Sequence, residues 1–417
     1  MAIIRPFKAL RPEKSVAASV SSVPYDVVNT QEARALSHEF PNSFLRITRS
    51  EVELPDSADP YSKEVYDLAK KNLAEITERA PLITEAEPHF YLYSLTMAGR
   101  TQTGIAATFA VDDYDNDVIL KHEKTRKVKE DDRTNHITTT EAQTGVVFLT
   151  YKAPGGLVEK TDAYRLANTP EYDFTAPDGV HHQIWILPTE FNQIITEAVG
   201  SVEKLYIADG HHRAASASRA RAAKQSANPN HTGDEEYNYF IAVLFPHNEL
   251  HIMPYNRVVT DLNGHTIEGF ISEVEKSFTV SVAGEDSPKE PQEFCMYLGG
   301  TWYTLTIKPE LKENGKIKGA HSVGDTLDVS ILQNYLLSPL LGIGDPRIDK
   351  RVDFIGGIRG TKELVQLVDS KKFAVAFSLY PVSLDSLISI SDAGEIMPPK
   401  STWFEPKLRD GLLTHLI

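Results

Sequence analysis

Apolar residues recur at helical spacing between Pro55 and Ala80, where Tyr66, Leu68, Leu73 and Ile76 share one face of a charged stretch. A helix is predicted there. Short apolar and aromatic runs at Phe90 to Leu95, Ile105 to Val111, Val118 to Leu120 and Val146 to Tyr151 predict strands, and the Asp/Asn-rich DDYDND between the second and third predicts a turn. Pro188 to Val199 reads as a helix with Thr189 as N-cap and Gly200 at its stop. Leu205 to Ala208 is a short apolar strand that runs through Asp209-Gly210-His211-His212-Arg213 into an Ala-rich helical stretch reaching Ala227. Tyr237 to Phe245 is a further strand.

Beyond Thr260 strand and helix pieces surround Gly-rich turns at Phe270 to Val282, Phe294 to Tyr297 and Trp302 to Ile307. Thr326 to Leu341 gives the clearest helical pattern, with Leu327, Ile331, Leu332, Tyr335 and Leu336 on its apolar side. Lys372 to Ser378 is a strand, and Met397 to Ile417 is a Pro-interrupted tail. The order lacks strict strand–helix alternation and a dominant helical bundle, so the expected class is α+β. Two regions are expected, residues 1–264 carrying the N-terminal part and the catalytic chemistry, and an α+β region over 265–417 whose tail can pack back on the core.

Composition narrows the function. Lys plus Arg is 43 and Asp plus Glu is 58, so the formal charge of the 417-residue chain is −15. A surface that neutralises duplex phosphates is basic, so no duplex nucleic acid is expected. One cysteine, Cys295, excludes an internal disulfide and any multi-Cys metal site. The lone thiol, and an N-terminal apolar run too short for a signal-peptide core, lead to the expectation of a cytoplasmic protein. No window approaches roughly 18 uninterrupted apolar residues, so no spanning helix is expected. Asn230-His231-Thr232 matches a glycosylation sequon and reads as a chance match.

The chemistry concentrates in two segments. In ADGHHR a buried strand delivers Asp209, Gly210 permits a tight turn, and His211, His212 and Arg213 stand at a helix entrance, where free backbone N–H groups and the helix dipole favour anions. Arg213 adds a fork suited to phosphate oxygens. Either histidine can donate to phosphate. Asp209 can hold Mg²⁺ or orient a substrate hydroxyl. The alternative is an ordinary helix start with Asp209 as cap. In KHEKTRKVKEDDR, six Lys/Arg and four Asp/Glu give a local charge of 6 − 4 = +2. Glu123 there is a candidate general base with His122 tuning it. Lys124, Arg126, Lys127 and Lys129 could hold a polyphosphate, and Asp132-Arg133 open a helix; the alternative is a solvated charged loop.

Ser43 and Arg46 offer a hydroxyl and a cation to a polar ligand. His182, in DGVHHQIW, is a candidate pocket residue, and DPRIDKR (Asp345 to Arg351) suits structural ion pairing. Lys400, Ser401 and Lys407, in the Pro-rich tail, could reach a site but are not assigned to it. P-loop, GxGxxG, GxSxG, HExxH and protein-kinase signatures are missing, so any phosphate chemistry uses another scaffold.

Pro24-Tyr25-Asp26, HEKT with Asp132-Arg133, Ala142 to Gly145 (AQTG), ADGHHR, DPRIDKR and MPPKSTWFEPK together resemble the bacterial domain-of-unknown-function 1015 family. The strand–DGHHR–helix element also resembles the ParB/sulfiredoxin-like superfamily, which includes free-serine kinases. The resemblance implies a ParB/sulfiredoxin-like mixed core and a kinase that moves phosphate from ATP, ADP or pyrophosphate, with Mg²⁺, to a small amino acid, free L-serine above all. It implies Glu123, Asp209 and His211 as catalytic and Gly210, His212, Arg213 and Lys124 as phosphate-binding. His122, Ser43 and Arg46 would contact substrate, and Asp209 would bind the metal. Sulfiredoxin chemistry is unsupported, because that turn has no cysteine here. The competing expectations are a ParB-like nucleotide-responsive binding protein and a metallohydrolase using His211, His212 and one of His122, His181 or His182. The expected partner is a small molecule, with no membrane, and homo-oligomerisation is left open.

Overall fold

The computed structural model describes residues 1–282, 284–313 and 316–417. By contact the chain forms two units. The first comprises residues 1–121, 125–250 and 406–417, and the second residues 122–124 and 251–405. Residues 122–124 and 251–264 therefore go with the second unit rather than with the region ending at 264. For the latter the reason is pairing: Tyr255–Val259 lies between Val352–Gly356 and Val375–Leu379 in the second unit's sheet.

The first unit is built on a nine-stranded mixed sheet. Across it run Ile119–Leu120, Leu205–Asp209, Val147–Tyr151, Tyr239–Pro246, Arg100–Ala110, Tyr91–Met97, His181–Ile186 and Tyr172–Thr175, with Ile4–Arg5 also paired to Arg100–Ala110. Two pairings are parallel, Leu205 beside Ile119 and Val243 beside Phe148. The central strands bury both faces. Leu149, Ile207, Phe109 and Phe240 share one core cluster, while Phe148, Tyr206, Val243 and Phe245 are buried as well. Strands covered on both sides read as continuous apolar runs, which is why the sequence marks them clearly.

The helix Lys63–Arg79 forms where expected, burying Tyr66, Leu73 and Ile76. The helix His211–Ala227 buries Ala214, Ala215, Ser216, Ala217 and Ala220. This small-residue face brings it close to helix Lys127–Thr140, and Ser216 Oγ donates to the Glu130 carbonyl at 3.2 Å.

The second unit holds a six-stranded antiparallel sheet in the order Phe278–Val282, Thr301–Ile307, Glu293–Leu298, Val375–Leu379, Tyr255–Val259 and Val352–Gly356. Leu364 and Val368 of helix Gly360–Asp369 pack on Val258, Tyr297 and Ala376. The class is thus mixed α+β.

Two sequence expectations fail for physical reasons. DDYDND is not a bare turn, because Val111–Asp115 makes a helical turn that buries Val111 and Asp113. The pattern over Thr326 to Leu341 does not form one helix. It divides into Gly324–Thr326, Asp328–Leu332 and a wider π-type turn Gln333–Leu337, closed by Ser338 N–H donating to the Gln333 carbonyl at 2.9 Å. Gln333 Nε2 reaches the Ile343 carbonyl at 2.6 Å, and Pro339 follows directly, so the helical ladder is interrupted and then stopped. Among the described residues no helix is long and apolar enough to cross a membrane.

Candidate functional site

Strand Leu205–Asp209 carries an irregularity just before its end. Ile207 pairs with Leu149 but Asp209 with Phe148, so Ala208 is the extra residue. Such a bulge re-aims the side chain that follows it. Gly210 then adopts φ 94°, a left-handed conformation. A Cβ there would sit 3.1 Å from Arg213 Nε and 3.4 Å from Val147 Cα, so conformation and space both require glycine. The 17-residue helix starts at His211.

Asp209 is at the centre of a charge cluster. Its Oδ1 accepts from Gly210 N–H at 2.8 Å, and its Oδ2 accepts from Lys407 Nζ at 2.8 Å. Burial by itself would raise this carboxyl, but Lys407 and Arg213 outweigh burial and hold it below the usual carboxylate range. Arg213 is 7% exposed. Its Nη1 donates to the Val146 carbonyl. Its Nη2 stands 3.7 Å from Asp209 Oδ2 and 3.8 Å from Asp26 Oδ2, beyond hydrogen-bond distance of both. Its Nε is buried without a hydrogen-bond partner. Burial opposes its charge, but Asp26, Asp209 and Asp410 more than compensate, so the guanidinium stays ionised. Arg133 stacks over Tyr25 at 4.2 Å and pairs with Asp132 at 3.0 Å. A small cavity of about 20 Å³, room for about one water, is lined by Tyr25, Arg133, His136, Gly145 and Arg213.

The two histidines differ. His211 is buried, and burial is the main reason its pKa falls to about 3 despite the pull of Asp209, so it is neutral at pH 7. His212 Nε2 accepts from Arg126 N–H at 2.9 Å. That contact serves the start of helix Lys127–Thr140, whose N-cap is Arg126. Replacing His212 with alanine should lower stability by roughly 0.5–1 kcal/mol, the worth of one exposed backbone partner, read as a lower urea midpoint. An unchanged midpoint would remove His212 from this structural role.

The basic segment is also recast. It is not a loop opening a helix at Asp132. The helix begins at Lys127, where Thr125 Oγ1 donates to Glu130. Lys121 pairs with Asp117 at 2.7 Å, and of the cations expected to hold a polyphosphate Lys127 pairs with Asp131 at 2.9 Å, so part of the segment's charge is neutralised locally.

Glu123 and Lys124 belong to the second unit and line a cleft of about 730 Å³ with Asp345, Arg347, Glu395 and Met397 among others. This volume lies in the range of small-molecule sites. His122 is buried in the same unit, its carbonyl accepting from Met397 N–H at 2.8 Å. In the cleft Arg347 forks onto Asp345 at 2.7 Å and Glu395 accepts from Gly324 N–H at 3.1 Å. Ser43 lies at a different hollow of the first unit, with Ser22, Asp178 and Arg409, and its Oγ accepts from Leu45 N–H at 3.3 Å. Arg46 is committed to Glu53 and, at 2.8 Å, to the Ser37 carbonyl. Neither joins the groups around Asp209. His182 is buried in the sheet, its Nδ1 3.0 Å from the Tyr93 hydroxyl.

The divalent-cation role expected for Asp209 does not fit. Its carboxylate already faces two cations, Lys407 and Arg213. Among the described residues no group of three or more His, Cys, Asp or Glu side chains could hold a metal ion.

The family model described as "Protein of unknown function (DUF1015)" matches residues 4–330. The chain belongs to this family. Among solved structures it is similar to a free serine kinase variant in complex with AMP, at 10% identity and a TM-score of 0.36 over 72% of this chain and 86% of that one. It is also similar to SbnI with a C-terminal truncation from Staphylococcus aureus, at 13% identity and a TM-score of 0.39 over 75% of this chain and 87% of that one. A conserved hypothetical protein from Pyrococcus furiosus is similar at 12% identity and a TM-score of 0.34, over 74% of this chain and 94% of that one. No curated protein matches.

Asp410 is the member of the cluster that sequence reasoning missed, and Asp26 and Lys407 were noted in the sequence without being assigned to it. Lys407 meets a partner 198 residues earlier in the chain. The only local signal was a lysine in a Pro-punctuated segment, and that carries no address.

Proposed function

We propose that this protein is a cytoplasmic phosphotransferase that moves a phosphoryl group from ATP, ADP or pyrophosphate to the hydroxyl of a small amino acid, with free L-serine as the first acceptor to test. One observation carries the reading. Arg213 is a buried, ionised guanidinium at the entrance of a 17-residue helix, its Nε has no hydrogen-bond partner, and its Nη2 stands 3.7 Å from Asp209 Oδ2 and 3.8 Å from Asp26 Oδ2. An anion placed there would satisfy donors that are costly to leave unpaired and would meet the helix N-terminus and Lys407 as well. Phosphoryl transfer depends mainly on such positioning and charge neutralisation.

The residue roles follow the family resemblance. The acceptor oxygen forms the new O–P bond as the donor's O–P bond breaks, and Glu123 takes the hydroxyl proton. Asp209 orients the hydroxyl. Gly210, His211, His212 and Arg213 hold the phosphoryl group, and Lys124 supports the donor. The ParB/sulfiredoxin-like assignment of the core belongs to the same proposal.

The test is incubation of the folded protein with L-serine and each donor, followed by phosphorus NMR. O-phosphoserine is expected with at least one donor. Donor binding with no phosphorylated product from any hydroxy amino acid would replace this reading with a nucleotide-responsive binding protein.

A further inference from the structure

Asp410 is 2% exposed, and its Oδ2 is buried without a hydrogen-bond partner. Its backbone is fixed by two hydrogen bonds to Ser22, Asp410 N–H to the Ser22 carbonyl and Ser22 N–H to the Asp410 carbonyl, both 3.0 Å. The side chain therefore has little freedom to leave. Gly145 keeps the space beside it open. A Cβ at that position would lie 3.9 Å from Asp410 Oδ1 and 3.1 Å from Arg213 Cδ.

The groups that act on this carboxyl are Arg213, Arg133, Asp26 and the Tyr25 backbone N–H, with the Tyr93 phenol also within its field. Two of the nearby cations are already matched: Lys407 pairs with Asp209 and Arg133 with Asp132. Arg213 is left to offset both Asp26 and Asp410. Burial, with Asp26 adding, raises Asp410 to about 7 against the opposing pull of Arg213 and Arg133.

We infer that Asp410 is a positioning residue of the anion site, exchanging a proton with solvent as an anion engages Arg213, so that anion binding is coupled to proton uptake. This rests on the phosphate-binding role proposed for Arg213. An incoming anion adds negative charge and offsets the positive field that Arg213 exerts on the Asp410 carboxylate. The ionised form then loses support and the carboxyl takes a proton. Below neutrality Asp410 already carries its proton and binding takes up none. Above neutrality uptake approaches one proton, and affinity falls as pH rises.

Sulfate is the probe, because its own charge is constant in this range. Calorimetric titration of the full chain, in buffers of different ionisation enthalpy, counts the protons directly and requires no variant. The expected result is uptake near one proton per sulfate at about pH 8, with affinity falling by up to roughly tenfold per pH unit above about pH 7.5. Asp410→Asn should flatten that slope while retaining sulfate binding. Sulfate binding with no proton uptake, or with the same slope in Asp410→Asn, would overturn the inference and leave the phosphate site standing. No sulfate binding at any pH would remove the phosphate site as well.

Discussion

Arg213→Lys is expected to slow O-phosphoserine formation by about 10²- to 10³-fold, the usual consequence of losing one placed donor to a charged transition state. Lysine preserves the positive charge between Asp26 and Asp209, so the carboxylates stay compensated and the unit should still fold. What disappears is the planar fork. One arm of the guanidinium is tied to the Val146 carbonyl, and this fixes the direction of the others. A lysine ammonium is a single point on a flexible stem and cannot be anchored and donate to an anion through separate nitrogens. The sulfate affinity of the variant should fall in parallel, and circular dichroism should be unchanged. A rate within threefold of the original protein would take Arg213 out of the reaction.

Gly411→Ala should cost roughly 2–4 kcal/mol of stability, combining a left-handed backbone penalty with overpacking. Gly411 has φ 86°, and a Cβ there would fall 2.7 Å from both Cβ and Cγ of Phe44. Phe44 is fully buried and Gly411 is buried beside it, so neither side can yield cheaply. Because Gly411 follows Asp410, the displacement should also disturb the bridge to Ser22 that holds the Asp410 carboxyl. The expected observations are a lower urea midpoint and weaker sulfate binding even where the variant is fully folded. A midpoint within about 0.5 kcal/mol of the original protein, the size of an ordinary surface change, would show that the segment relaxes around the methyl group.

The sheet of the first unit could be read from the chain because its strands are buried on both faces. Residues 147–149 and 205–208 announce themselves as unbroken apolar runs. The Ala-rich helix after Gly210 was equally plain. The helical pattern near Thr326 misled because periodicity records which face is apolar, not whether the hydrogen-bond ladder is continuous. The site was legible as far as one strand–turn–helix can hold it, in Asp209, Gly210, His211 and Arg213. It was not legible for Asp26, Lys407 and Asp410, which reach Arg213 or Asp209 through long-range folding. Local charge density pointed instead to the lysines after Leu120, two of which pair with acids four residues away.

Residues 251–405 of the second unit intervene in sequence between the first unit's strand Tyr239–Pro246 and its segment 406–417. This sets a timetable on the ribosome. Lys407 is made 198 residues after Asp209, a delay of roughly 10–40 s at ordinary elongation rates. Until then a nascent chain holds the Asp209–Arg213 turn without the lysine that pairs with Asp209. A message truncated anywhere in the intervening stretch yields a product that lacks Lys407 and Asp410, so its charge cluster is incomplete.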